Sequence, residues 1–267
     1  MSLYGVMSPR IALIISSFNR PRLVVDAIES VKDQSYKRFL CVVADDDSNA
    51  ETVQAIRSAV GDDLRFVVME NAAGSPSADQ RKSELRYCKT INAALALILA
   101  EYPSVEFLSF LPDDDYLMKE CFEARMKIFD ENPDQHVTYT KQRSLTFDVD
   151  SHWDSRGVPK PGRSYPKEGE VDPDTGGPID IASWWPGLRS PIRGIDHGSI
   201  CHRRVCLDEM GGPPWWPEGP CSDVGDGLYF DRLTALGHVA LAIPVIGHTK
   251  RFHGRSYGRV GTSSVRE

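Results

Sequence analysis

Four times within the first 111 residues, a largely apolar run is followed by a polar break. The runs are "RIALIIS" at 10–16, "RFLCVVADDDSN" at 38–49, "LRFVVME" at 64–70 and "VEFLSFL" at 105–111. A strand with one wet face alternates apolar and polar residues; a continuous β-branched run is buried on both faces. Helical periods fill the gaps. Residues 21–34 repeat Leu23, Val24, Ala27, Ile28 and Val31 on one face, with Pro21 suited to the first turn. Residues 50–60 form a helix closed by Gly61, and 83–102 a long one stopped by Pro103, after a polar loop at 71–80. Strands and helices in strict alternation demand an α/β fold: a mostly parallel central sheet in a three-layer α/β/α arrangement. In such sheets ligands gather at the carboxyl ends of the strands.

Two of these strands end in aspartates. Asp45 to Asp47 close the second; Asp113, Asp114 and Asp115 follow the fourth with only Pro112 between. Topology puts both groups along one edge of the sheet. A turn or helix cap accounts for one or two such residues. Three adjacent carboxylates behind a buried strand repel one another and call for a positive partner. A hard divalent cation, Mg²⁺ or Mn²⁺, prefers such oxygens and shares them with substrate phosphates. Asp45 or Asp46 can accept from a base N–H or a ribose hydroxyl. Phe18, just after the first strand, can stack on a base or belong to the core. Arg81 can answer a phosphate or a base, or be a surface charge.

Other chemistries are excluded. The net charge of −7 argues against a nucleic-acid-coating surface. The longest apolar stretch, 93–100, is far short of the roughly 20 residues of a membrane helix, and the first ten residues lack a signal-peptide core. Six cysteines without CxxC spacing read as reduced thiols in a cytoplasmic protein. There is no GxGxxG after the first strand, no P-loop and no HExxH. His197, Cys201, His202 and Cys206 crowd together, but strand alternation divides them between two faces, against zinc.

Beyond the fourth strand order thins. Residues 148–196 are rich in Pro, Gly, Asp and Trp with little periodicity, a length of irregular chain that is often functional. Residues 198–211 read as a strand entering a short helix, 225–237 as a helix closed by Gly237, and 238–244 as a last strand. Trp184, Trp185, Trp215 and Trp216 read as core packing; Trp215 and Trp216, close before Asp226, read equally as walls of an acceptor site. The basic segment 248–260 either closes over a bound diphosphate, with His253 a further metal ligand, or is a disordered tail.

The stretches "ALIISSFNRPRLVVDAIESVKDQSY", "FLCVVADDDSNAET", "FLPDDDYL", "RYCKTINAAL", "IDHGSICHRRV" and "VGDGLYFDRL", in that order over most of 10–235, make the chain resemble the family 2 glycosyltransferases of the GT-A fold, above all those of spore-coat polysaccharide synthesis. The resemblance implies an inverting, metal-dependent transfer from a UDP- or dTDP-linked nucleotide-sugar to a hydroxyl of a carbohydrate or glycoconjugate acceptor. It implies a single GT-A domain, with 1–115 the nucleotide-sugar half and 116–267 the acceptor half. It puts Ser16, Phe18 and Arg20 in the first nucleotide loop and Asp45 and Asp46 at base and ribose, with Arg81 on the base. Asp113 and Asp114 match the DXD-type element, Asp114 and Asp115 being the metal carboxylates. Asp226 matches the general base, and Asp196 and His197 lie beside the sugars. Pro112 stands where many relatives carry the first aspartate of DXD, "GD" replaces the more usual "ED" before the base, and 148–196 is longer than expected. The alternatives are an inactive nucleotide- or sugar-binding module and, behind it, a sugar nucleotidyltransferase.

Overall fold

The computed structural model describes residues 8–74, 85–146, 189–190, 195–217 and 225–252. The alternating first half folds as its pattern dictates. Strand β1 (Ile11–Ser17) leads through α1 (Pro21–Lys32) to β2 (Phe39–Asp45), then α2 (Ala50–Val60), β3 (Phe66–Met69), α3 (Leu85–Glu101) and β4 (Phe107–Pro112). Pro21 opens α1 and Gly61, at φ +57°, closes α2. These four strands pair in parallel in the order β3-β2-β1-β4.

The second half is mixed: antiparallel strands join the parallel four, and one further parallel pair forms within it. The two-residue β5 (Tyr116–Leu117) and helix α4 (Cys121–Glu131) precede β6 (Val137–Thr146). After β7 (Arg189–Ser190) come a single 3₁₀ turn at His197–Ser199, β8 (Ile200–Arg203), α5 (Val205–Glu209), α6 (Gly225–Ala235) and β9 (Ala240–Phe252). Among the described residues the sheet has nine strands: β8 joins the edge of β4 antiparallel, β6 follows antiparallel, β9 runs parallel to β6, and β5 and β7 both pair antiparallel with β9. The last strand runs eight residues past the 244 expected for it. Residues 248–252, read as the start of a closing segment or a tail, continue the strand along β6. Where the β6–β9 register shifts after Thr140, Gly247 lies so close that a Cβ would sit 2.1 Å from Thr140 Oγ1.

Alternate residues of each buried strand serve opposite faces, which gives the layers. Ala12, Ile14, Leu40, Val42, Leu108 and Phe110 pack with α3, Trp216 and α6, whereas Ile11, Leu13, Ile15, Phe39, Cys41, Val43 and Leu111 pack with α1, α2 and α4. Cys41, Cys88, Cys121, Cys201 and Cys206 are buried free thiols, and no described helix is long and apolar enough to cross a membrane.

His202 shows what burial does to a polar group here. It is fully buried in β8, with Nε2 2.7 Å from the Tyr229 hydroxyl and Nδ1 2.9 Å from the Arg203 carbonyl. Both contacts suit a neutral ring and neither reaches toward a zinc ligand. Burial pushes its pKa from 6.5 down to about 4. The unfolded chain therefore takes up a proton near pH 6.5 that the folded one refuses until about 4. Stability from this group is complete above the unfolded value and is lost as pH falls, by about 2 kcal/mol at pH 5. Urea midpoints at pH 7 and pH 5 are expected to fall less for His202→Gln than for wild type; equal falls refute the assignment.

Candidate active site

The carboxyl ends of β1, β2 and β4 meet where the chain leaves all three. Ser17 pairs with Asp45 and Ser16 with Pro112, so the two aspartate groups flank the end of β1. The Phe18 amide donates to Asp113 Oδ2 at 3.1 Å, and the Phe18 ring is left half exposed. Asp45 is buried; its Oδ2 accepts the Ser48 amide at 3.0 Å and its Oδ1 has no partner. Burial raises its carboxyl above the usual range, and the Ser48 contacts only partly offset this. An unpartnered buried acceptor is costly unless something donates to it.

Asp46 forms an ion pair with Arg86, in the first turn of α3, which also reaches the Gly74 carbonyl at 3.1 Å. Arg86 was not anticipated. Its signal was present in "RYCKTINAAL", where a helix start places an arginine at the sheet edge. Arg81, the residue expected in this role, lies outside the described residues.

The positive partner demanded by the aspartate triplet is in part protein. Arg20 Nη1 bridges Asp113 Oδ1 at 2.7 Å and Asp114 Oδ2 at 2.8 Å. Asp115 turns away from them. Its Oδ1 accepts the Arg251 amide at 2.8 Å, and its Oδ2 faces His248 Nε2 at 3.9 Å. Burial, then the neighbouring carboxylates of Asp114 and Asp196, hold the Asp115 carboxyl well above the usual range. Side chains alternate along β9: His248 and Lys250 reach Asp196, while Arg251 passes to Asp26 on α1. Asp196 caps the 3₁₀ turn by accepting the Gly198 amide at 3.0 Å. Gly198 lies flat against His248, where a Cβ would come within 2.9 Å of the ring. Burial opposes ionisation of Asp196, yet His248 and Lys250 hold it well below the carboxylate range.

Does this donor set fit a divalent cation? Among the described residues, Asp113, Asp114 and Asp196 pair with the side chains of Arg20 and Lys250, and carboxylates there outnumber those two cations. Asp115 Oδ2 and His248 Nε2 are both buried without a hydrogen-bond partner, and with Asp196 they have metal-ligand spacing. Hard oxygens with one imidazole suit Mn²⁺ or Mg²⁺, so the residues fit. His248 is the imidazole within the described residues; His253 lies outside them.

Asp226 lies in the first turn of α6. Its Oδ1 accepts the Gly227 amide at 2.8 Å, and its Oδ2 is 3.6 Å from His197 Nδ1. Burial alone would raise its carboxyl; His197 and the Gly227 amide outweigh burial and lower it. The carboxylate stays about a third exposed, so an acceptor can reach it.

The tryptophans correct one expectation. Trp216 is fully buried, stacked on Tyr229 at 4.7 Å and edge-on to Phe110 at 5.2 Å, and Trp215 is 5% exposed. Neither offers an open indole face, so both are packing rather than acceptor walls. Trp184 and Trp185 lie outside the described residues.

The sequence profile of Glycosyl transferase family 2 matches residues 12–195. The chain belongs to this family. As a family 2 glycosyltransferase it is 28% identical over 231 residues to Protein CgeD of Bacillus subtilis, covering 85% of this chain and 46% of CgeD. It is 25% identical over 121 residues to the GalNAc(5)-diNAcBac-PP-undecaprenol beta-1,3-glucosyltransferase of Campylobacter jejuni, covering 45% of this chain and 34% of that enzyme. The chain thus spans less than half the length of these curated relatives. Among solved structures, S. aureus TarS 1–349 with UDP-GlcNAc superposes with a TM-score of 0.59 at 18% identity, covering 92% of this chain and 60% of that one. The mannosyltransferase PcManGT of Pyrobaculum calidifontis, with GDP-Man and Mn²⁺, gives 0.56 at 15%, covering 94% and 59%. These likenesses establish the GT-A fold for this family 2 enzyme.

Proposed function

We propose that this glycosyltransferase moves a sugar from a UDP- or dTDP-linked donor to a hydroxyl of a carbohydrate or glycoconjugate acceptor, with inversion, in polysaccharide or glycoconjugate synthesis. The observation that carries the reading is the convergence of Asp45, Asp46, Asp113 to Asp115, Asp196 and Asp226 around the carboxyl end of β1, with Asp45 Oδ1 buried and unpartnered. The TarS complexes with UDP and UDP-GlcNAc support a nucleotide-sugar donor, and the C. jejuni glucosyltransferase supports a glycoconjugate acceptor.

In this reading a base N–H satisfies Asp45 Oδ1, Phe18 stacks on the base, and Ser16, Asp46 and Arg86 line its ribose side. Asp115, with Asp196 and His248 and with Asp114 beside them, would hold Mg²⁺ or Mn²⁺, which when bound supplies positive charge to a departing nucleoside diphosphate. Arg20, held on Asp113 and Asp114, places its positive charge on the phosphate side of the pocket. Asp226 takes the proton of the acceptor hydroxyl as that oxygen attacks the anomeric carbon from the face opposite the leaving group. Asp196 and His197 flank the sugar.

The test is ligand-linked stability. UDP or dTDP with Mn²⁺ is expected to raise the melting temperature by roughly 5 °C at about a hundredfold excess over Kd, and EDTA to abolish most of the shift. A shift indifferent to EDTA removes the metal from the proposal; no shift with any nucleotide removes the donor. Metal-dependent binding without donor hydrolysis or transfer identifies an inactive binding module.

A further inference from the structure

Tyr87 has no part in the chemistry above, yet it touches it. Its hydroxyl lies 3.0 Å from His197 Nε2, on the side of the ring away from the Nδ1 that faces Asp226. We infer that Tyr87 is a positioning residue that fixes the tautomer of His197 and, through it, the orientation of the Asp226 carboxylate. The inference rests on the assignment of Asp226 as base.

The argument is one of donors and acceptors. An ionised carboxylate only accepts, so the contact with Asp226 Oδ2 is favourable when Nδ1 carries the hydrogen. A neutral imidazole has one N–H, and Nε2 is then a bare lone pair that needs a donor. The Tyr87 O–H is that donor. Burial pushes ionisation of the phenol well above its usual range, so it keeps its proton. The opposite arrangement, with Nε2–H donating to the phenol, would turn the Nδ1 lone pair toward a carboxylate. For a neutral ring, one arrangement satisfies all three groups: Tyr87 O–H to Nε2, and Nδ1–H to Asp226. The 3.6 Å separation of Nδ1 and Oδ2 is long for a hydrogen bond, as catalytic contacts often are before substrate tightens them.

The phenol is firmly held. Its ring meets Trp216 edge-on at 5.4 Å and His197 at 5.8 Å, and Trp216 is itself stacked on Tyr229. The residue before it, Arg86, pairs with Asp46. A single turn of α3 therefore braces the nucleotide end of the cleft with one residue and the base end with the next.

The test uses the full chain labelled with ¹⁵N, reading imidazole nitrogens by long-range ¹H–¹⁵N correlation, with His197→Gln to assign the signal. Wild type is expected to show Nδ1 protonated and Nε2 bare at neutral pH. Tyr87→Phe, which keeps the ring packing, is expected to shift His197 toward the Nε2–H tautomer. It should lower kcat for donor hydrolysis roughly tenfold, a part of the 10²–10⁴ that a positioned base contributes, with donor KM within about twofold. The inference is overturned if wild type holds Nε2–H or both protons, if Tyr87→Phe leaves the tautomer unchanged, or if the tautomer shifts and kcat does not. If Asp226→Asn keeps full turnover while the tautomer responds as stated, the base assignment fails and the Tyr87–His197 contact stands.

Discussion

Asp226→Asn is expected to lower kcat by about 10²–10⁴-fold, with donor KM within about twofold and stability little changed. The amide matches the carboxylate in shape and can still accept the Gly227 amide, so what is lost is the ability to take a proton. Donor hydrolysis is a sufficient readout, because attacking water also needs a base. The resting carboxyl is held low by His197 and Gly227 despite its burial, which keeps it ionised at neutral pH but weakens it as a base. A sugar bound over a carboxylate that is about a third exposed would strip its water and raise its proton affinity where that is needed. Turnover within about tenfold of wild type in Asp226→Asn refutes the assignment.

Arg125→Ala is expected to destabilise the fold by about 3 kcal/mol or more. Arg125 on α4 is fully buried, and its hydrogen bonds go to neutral oxygens: Ser109 Oγ at 2.6 Å, the Gly198 carbonyl at 3.1 Å and the Ser199 carbonyl at 2.9 Å. No carboxylate pairs with it among the described residues. Removing the charge relieves a desolvation cost, but it strands two buried carbonyls and empties the volume of the stem, and each stranded group costs about 1–3 kcal/mol. Those carbonyls belong to the turn that carries Asp196 and His197. Arg125→Lys keeps the charge but cannot span the same three oxygens, and is expected to fall between wild type and Ala. Urea denaturation measures both; a loss below about 0.5 kcal/mol for Ala, the size of an ordinary surface change, would mean that the guanidinium does not hold the turn.

The first half was legible because buried strands leave a clear mark: a run made almost wholly of apolar residues, then a loop. The same logic located Asp45, Asp46 and Asp113 to Asp115, since only topology was needed to bring them together. Strand β6 went unread because "VTYTKQRSLT" carries Lys141, Gln142 and Arg143 where a core strand carries Val or Ile. The latter part of β9 failed for the same reason: His248, Thr249 and Arg251 are buried, but by one another and by the aspartates, and charge that is satisfied only in three dimensions looks like surface in one. The two-residue period of His248 and Lys250 was the available clue. For Trp215 and Trp216 the sequence left core packing and acceptor wall equally open; Asn92, which clamps both the amide and the carbonyl of Trp216 at 2.9 Å, draws the segment into the core.

Strand β8 takes up the free edge of β4, Phe107 to Ser109 meeting Arg203 back to Cys201. A fragment severed after Pro112 would keep the loops assigned to the nucleotide, yet bare a row of amides beside Phe107 and Phe110, a template for another copy to dock against. The two halves proposed for donor and acceptor are therefore separable as chemistry but not as polypeptide, since the edge of the first is covered by a strand of the second.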